Sequence, residues 1–391
     1  MSKRKAFVNF VKAENILFLF LVTVAAMAVR LKFFGYVSSD YREFLGGWFR
    51  LIRQNGGLAA AGIKFGDYTP AYYYLLGLIS YLPFSGLHLI KALSCAGDIV
   101  SAYFVFRMVD RKYGEFWGEI SYAVVLFLPS VIMNSALWAQ CDSIYTAALL
   151  ACVAFLMEGK PYRAVTAFSI AFALKLQAVF LAPFLLLLLL KRRIKARCLL
   201  ILPMVYLISI LPAALLGRSF WDLLTVYFRQ AGEYSRLTMN LPNLFAWFPV
   251  HAPASVGRTA VLAAGAVVLL TLAYLCSKRF QMTDEMLISL ALFYVMLLPY
   301  ILPFMHERYW YPADLFSVAF AFYFPEKFYV PVITVLSSTY GYCRFLFGFH
   351  FISIKLFSVL MLFNLIWVAI HIIYCIRDGS DWKVARRGWK T

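Results

Sequence analysis

The chain has 391 residues, 63% of them hydrophobic and only 14% charged, and its 37 basic against 19 acidic residues give a net charge of +18. So few charges cannot supply a water-facing surface, which excludes a soluble globular protein and predicts a multi-pass membrane protein. In such a chain the basic excess reflects membrane orientation and anionic lipids, and no nucleic-acid-binding motif accompanies it.

Lys3-Arg4-Lys5 leads into an apolar run over 15–34. The start resembles a signal peptide, but no small-residue cleavage site follows and Arg30 and Lys32 flank the far end, so a retained first span is expected. Residues 36–87 form the first long polar interruption. Within it, 41–53 sets Phe44, Leu45, Trp48, Phe49 and Leu51 against Arg42, Arg50 and Arg53, the pattern of a helix lying in the interface. The run 70–84 is apolar but short, and it too is expected to lie in the interface rather than cross. Further apolar runs follow at 88–107, 116–134, 143–157, 164–174, 178–190, 199–216, 256–276, 286–302, 312–324, 328–345 and 351–376. With roughly 20 residues per crossing, the expectation is an all-α polytopic protein of about twelve spans. A second long outer loop covers 217–255.

Placing the N-terminus inside puts the basic groups of 3–12, 107–112, 160–163, 191–197, 278–279, 327 and 377–390 on the inner side, with both termini cytoplasmic. If 70–84 crossed, the basic run 191–197 would be sent outward. No internal repeat or low-complexity linker is visible, and 1–391 reads as one integral-membrane domain. The seven cysteines are scattered without CxxC or nearby His pairs, so helix packing is expected for them rather than zinc or disulfides.

In this orientation the polar residues gather on the outer rim. They are Asp40 and Asp67; Asn134, Trp138, Gln140 and Asp142; Lys175 and Gln177; Arg218 and Arg236; and His306-Glu307-Arg308. An ionisable group at mid-membrane costs about 2.5–3.5 kcal/mol, so those that persist face a cavity or a partner. Asp98 and Lys175 are the clearest cases. For Asp98 a helix–helix hydrogen bond and a functional role both stand; Lys175 either snorkels or serves the site. Asp40 reads equally as a loop acid, Asp67-Tyr68-Thr69-Pro70 as a turn before a helix, and Trp48, Trp138 and Trp310 as interface-belt aromatics.

Taken together, an outer-loop Asp after the first span, Asp67-Tyr68-Thr69-Pro70, the run Ala136 through Tyr145 with Trp138-Ala139-Gln140 and Asp142, Lys175 with Gln177, and His306-Glu307-Arg308 occur in one order. That order resembles the GT-C glycosyltransferases, most of all bacterial proteins related to the GPI-anchor mannosyltransferases, and more distantly the dolichol-linked glucosyltransferases. The motifs span 38–308. Where the family usually has Trp-Gly-Gln and Tyr-Pro-Pro, this chain has Trp138-Ala139-Gln140 and Tyr68-Thr69-Pro70.

The resemblance implies transfer of a sugar, mannose or another hexose, from a polyprenyl-phosphate donor to a hydroxyl on a glycan, lipid or protein acceptor at the outer face. It implies Asp40 as the catalytic base. Asp67, Tyr68, Trp138, Gln140, Asp142, Lys175, Gln177, His306, Glu307 and Arg308 would bind substrate, with Arg308 and Lys175 facing the phosphate and Arg218 and Arg236 behind them. No cofactor is expected, since no compact cluster of metal ligands is visible, although a metal is not excluded. Two other classes share parts of the pattern. A flippase or transporter of lipid-linked sugars predicts repeats and midplane polar groups. A polysaccharide polymerase or ligase would use a late outer loop such as 217–253, with Arg218, Arg229, Glu233 and Arg236.

Overall fold

Apolar segments of this length satisfy their backbone groups in a membrane only as helices or closed barrels, and here they are helical. The computed structural model describes residues 3–230, 236–249 and 253–388, so Glu233 lies outside the described residues. The helices are α1 (Lys3–Leu31), α2 (Gly46–Gln54), α3 (Pro70–Ser80), α4 (Gly86–Tyr113), α5 (Glu115–Phe127), α6 (Pro129–Ile132), α7 (Asp142–Met157), α8 (Pro161–Leu174) and α9 (Ala182–Leu190). They continue with α10 (Ile201–Leu215), α11 (Phe220–Leu224), α12 (Val226–Gln230), α13 (Ala254–Ser277), α14 (Asp284–Ile301), α15 (Tyr311–Tyr323), α16 (Tyr329–Phe347) and α17 (Ile354–Gly388). Two-residue strands β1 (Thr238–Met239) and β2 (Met305–His306) pair in parallel.

Among the described residues six helices are long and apolar enough to cross a membrane, and seven if α5 and the 129–137 segment count as one span bent by 53°. The chain is thus an all-α membrane-embedded protein. The count falls below the sequence expectation because several apolar runs are folded as short pieces. α8 and α15 have 14 and 13 residues, and the run from Leu176 to Leu190 begins as a 3-10 turn before α9. The bend after α5 has a local cause: Pro129 disfavours helical backbone at the preceding residue, and Leu128 is extended at φ −61° and ψ 132°.

Burial separates inner from outer helices. In α14, 83% of the apolar window is buried, against 11% in α1 and 17% in α13, whose side chains Ile16, Phe20, Leu262 and Leu270 stay exposed as a lipid-facing surface requires. Four cysteines, Cys95, Cys141, Cys152 and Cys198, pack inside, while Cys276 is exposed.

The ends of α1, α8 and α14 and the starts of α4, α7 and α15 meet at one end of the bundle, where ion pairs link Asp40, Asp142, Lys175 and Arg308 and Lys91 of α4 holds the carbonyls after α1. The opposite end is clasped by Arg107 on Glu158, by Arg111 Nε 2.6 Å from Asp284 Oδ2, and by Lys112 Nζ 3.1 Å from Glu285 Oε1. Asp284 and Glu285 open α14, where the helix dipole favours acids, and Thr283 caps it by accepting from Met286 N.

α2 and α3 cover the site end. Leu45, Phe49, Ile52, Tyr72, Tyr73 and Leu76 pack with Leu89 and Ile90 of α4 in a second hydrophobic cluster, and Arg53 donates to the carbonyls of Ser80, Leu82 and Phe84. Helical backbone covers the whole expected stretch 41–53, with Tyr41–Leu45 wound as a π-turn that continues directly into α2.

Candidate functional site

Two π-turns carry the polar residues of the site. One, Tyr41–Leu45, follows Asp40; the other, Met133–Leu137, precedes Trp138. A π-turn inserts an extra residue and turns the next side chains to a new direction, which is why such turns recur at functional sites. After the second, Ala139 sits in the left-handed region at φ 70°. That reversal lets Trp138 Nε1 and Gln140 Nε2 both donate to Asp40 Oδ2, at 3.1 and 2.7 Å. Ser38 Oγ, donating to the Trp138 carbonyl at 3.0 Å, ties the two segments together.

Left-handed backbone costs an L-residue about 1–2 kcal/mol that glycine does not incur, offset in part by glycine's greater unfolded-chain entropy. Ala139→Gly is therefore expected to leave stability unchanged or raise it by up to about 1 kcal/mol, read as the thermal midpoint in detergent. A clear fall in midpoint would mean that Ala139 is not held in this conformation.

Asp142 opens α7 and bridges two cations. Its Oδ1 lies 2.5 Å from Lys175 Nζ; its Oδ2 accepts from Asn134 Nδ2 at 3.0 Å and lies 3.8 Å from Arg308 Nε. Lys175 reaches it because α8 stops there: the residue is extended at φ −155° and ψ 135°, so its side chain turns inward instead of snorkelling. Lys175 also lies over the rings of Tyr68 and Tyr145, at 5.8 and 5.5 Å.

Arg308 completes the cluster. Its Nη1 is 3.7 Å from Asp40 Oδ2 and 3.3 Å from Glu307 Oε1, and its guanidinium lies 5.4 Å from the Trp138 ring centroid. The 217–255 loop fixes this stretch: Phe304 N donates to the Leu237 carbonyl at 2.7 Å and Glu307 N to that of Met239 at 3.0 Å. Phe304 itself is left-handed at φ 66°, and a bulky residue persists there only where its surroundings over-determine it.

Burial, opposed by Arg308, raises the Glu307 carboxyl to about 7. Burial, aided by Arg308 and Lys175, holds the His306 imidazole well below its usual range, so it is neutral at pH 7.

These groups line one end of a cavity of about 560 Å³, within the size range of small-molecule sites. Asp40, Gln140, Lys175, Gln177, His306 and Arg308 form its polar end, and Asp67 and Tyr68 reach it from the 36–87 loop. Val179, Phe180, Val261, Leu302, Phe304 and Met305 form an apolar wall. Trp138, Asp142 and Glu307 lie behind the wall with at most 0% exposure, where they hold the lining residues in place. Full burial and the bond to Asp40 remove Trp138 from the interface belt. Asp67 is exposed at the rim, and its carbonyl accepts from Gln230 Nε2 at 2.6 Å. Arg218 stands apart, paired with Asp222 together with Lys64 and Arg229.

Sequence reasoning passed over the polar lining residues Ser39, Glu43, Gln230 and Tyr309. Glu43 follows Asp40 by one helical turn, a spacing that places both on one face and was open to notice. It also passed over Lys91, an apparent interruption of an apolar helix. Lys91 is fully buried and donates to the carbonyls of Phe33, Phe34 and Tyr36 at 2.7, 3.2 and 2.7 Å.

No known protein-family model matches the chain, and no curated protein matches it at a significant level. Among the described residues no group of three or more His, Cys, Asp or Glu is placed to hold a metal ion.

Proposed function

We propose that the chain is an inverting glycosyltransferase of the GT-C type. It would have about twelve spans, cytoplasmic termini, and its site on the outer face, moving mannose or another hexose from a polyprenyl-phosphate donor to a hydroxyl acceptor. The observation that carries this reading is the position of Asp40: a half-buried carboxylate at a cavity mouth, aimed by Trp138 and Gln140, with Arg308 at its side.

The chemistry follows from the residues. Asp40 takes the proton of the acceptor hydroxyl as its oxygen bonds to the anomeric carbon, a general-base step. The bond from that carbon to the phosphate oxygen breaks on the opposite side, so configuration inverts. Its electron pair leaves on a phosphate monoester, which needs a cation and no proton, and Arg308 is the nearest lining cation. Lys175, shared with Asp142, is the second. The polar end fits the sugar phosphate and the apolar wall fits the first isoprene units.

Glu307 sets a pH dependence. Below about 7 it is neutral and the full charge of Arg308 faces the leaving phosphate; above that it is ionised and competes for the guanidinium. Transfer is expected to fall as pH rises through about 7, and Glu307→Gln is expected to abolish that limb. Because the folded carboxyl sits above its ordinary value, stability also falls between roughly pH 4.5 and 7, and the Gln variant loses that slope. A limb that persists in the variant assigns it to another group.

The reading is tested by incubating purified protein with a set of radiolabelled short-chain polyprenyl-phosphate sugars. Consumption of one donor with release of polyprenyl phosphate supports it. If no donor is consumed while labelled lipid crosses a reconstituted bilayer, the protein is a transporter and the transferase reading falls.

A further inference from the structure

α4 carries a stripe of buried polar residues at helical spacing, Lys91, Ser94, Asp98 and Ser101, each fully buried. Every one of them meets a segment that leads into the site. Lys91 holds the carbonyls that follow α1, just ahead of Asp40. The Ser94 carbonyl accepts from Ser143 Oγ at 2.7 Å, and Ser101 Oγ donates to the Ser143 carbonyl at 3.2 Å, next to Asp142.

Asp98 is the most heavily engaged. Its Oδ2 accepts from Arg30 Nε and Nη2, both at 3.1 Å, and from Ser135 Oγ at 2.5 Å; its Oδ1 accepts from Tyr311 OH at 2.9 Å. Arg30 lies near the end of α1, ten residues before Asp40. Ser135 belongs to the π-turn that delivers Trp138, and Tyr311 is three residues past Arg308. One carboxylate therefore ties together the three segments that bring in the candidate base, its indole donor and its neighbouring cation.

We propose that Asp98 is a positioning residue that sets the distance between Asp40, the Trp138–Gln140 donors and Arg308. A plain helix staple needs only the Arg30 partner. The added bonds to Ser135 and Tyr311 link two further backbones that carry the lining residues Gln140 and Arg308 a few positions away, and a carboxylate alone can accept four such bonds without donating any. The kinetic part of this proposal rests on the glycosyltransferase reading; the geometric part does not.

The test separates charge pairing from positioning. Removing Asp98 alone strands Arg30 in the membrane, so the variant to make is Arg30→Met with Asp98→Leu, which takes out both charges. It is expected to fold with a thermal midpoint near wild type, yet to lose about tenfold or more in kcat with donor KM little changed. Tyr311→Phe and Ser135→Ala, which keep the ion pair and release one segment each, are expected to lose about threefold to tenfold in kcat, and they stand as the test if the double variant does not fold.

Wild-type kcat in Tyr311→Phe and Ser135→Ala, or in a folded double variant, would overturn the proposal and leave Asp98 a staple. If wild type itself transfers no sugar, the glycosyltransferase reading fails separately, and a cryo-EM structure of Ser135→Ala decides the geometry. Separation of Gln140 from Asp40 beyond hydrogen-bond reach supports positioning, and an unchanged contact overturns it.

Discussion

Asp40→Asn is expected to cut sugar transfer by about 10²–10⁴-fold, the range for losing a positioned general base, while the protein keeps its thermal midpoint. The substitution is nearly isosteric, and the carboxamide oxygen can still accept from Trp138 Nε1 and Gln140 Nε2, whose bonds both end on Oδ2. What changes is the ability to accept a proton. Donor binding should persist, because the Asn side chain leaves Arg308 with Asp142 and Glu307 as counter-charges. The result to seek is lost turnover with retained donor affinity, measured on one preparation by transfer rate and by displacement of a labelled polyprenyl phosphate. Retained turnover would move the base elsewhere, and Glu43, which lines the same cavity, would be the first carboxylate to examine.

Gln140→Ala would report on the same arrangement from the other side, since it removes the shorter of the two bonds to Asp40. Its effect is confined to aim, so it should be smaller than that of Asp40→Asn.

The site was legible to the degree that it depends on which helix ends fall on the same side of the bundle. Asp40, Gln140, Lys175 and His306-Glu307-Arg308 lie far apart in sequence, and the alternation of basic loops was enough to place them on one rim. The geometry within the rim was not legible, because it depends on backbone features that hydropathy does not encode. The π-turns before Trp138 and after Asp40, the left-handed Ala139 and the extended break at Lys175 each redirect a side chain by a local dihedral change.

Lys175 illustrates the difference. Its position at the end of an apolar run suits a snorkelling lysine, and only the extended backbone that ends α8 turns it onto Asp142. Asp98 was recognised as an ionisable group at membrane depth, but its partner Arg30 read only as a flanking charge and Lys91 did not stand out at all. Both are buried because carbonyls and a carboxylate meet them, and the contacts that make this possible are tertiary. How many helices reach crossing length also depends on folding that hydropathy does not encode. The apolar runs of α8 and α15 form helices of only 14 and 13 residues. The β1–β2 pairing of two residues is too short for any strand pattern, yet it fixes the backbone of His306 and Glu307.

Arg308 is expected to give the second large effect, and the choice of replacement decides what is learned. Three carboxylates, those of Asp40, Asp142 and Glu307, lie within 4 Å of its guanidinium at 3.7, 3.8 and 3.3 Å. Arg308→Ala would leave them without that charge, and stranding a buried partner costs about 3–5 kcal/mol, enough to compromise folding on its own. Arg308→Lys keeps the charge and much of the length, so the carboxylates stay compensated in part. It loses the planar fork, which can hold Asp40 or Asp142 with one edge while presenting another to a phosphate oxygen. If Arg308 stabilises the charge that develops on the leaving phosphate, the lysine variant should fold, bind donor with an affinity within a few-fold of wild type, and lose about 10²–10³-fold in kcat, as for removal of one donor to a developing oxyanion. A rise in donor KM with kcat preserved would instead make Arg308 a ground-state binding group and pass the leaving-group role to Lys175, the other lining cation.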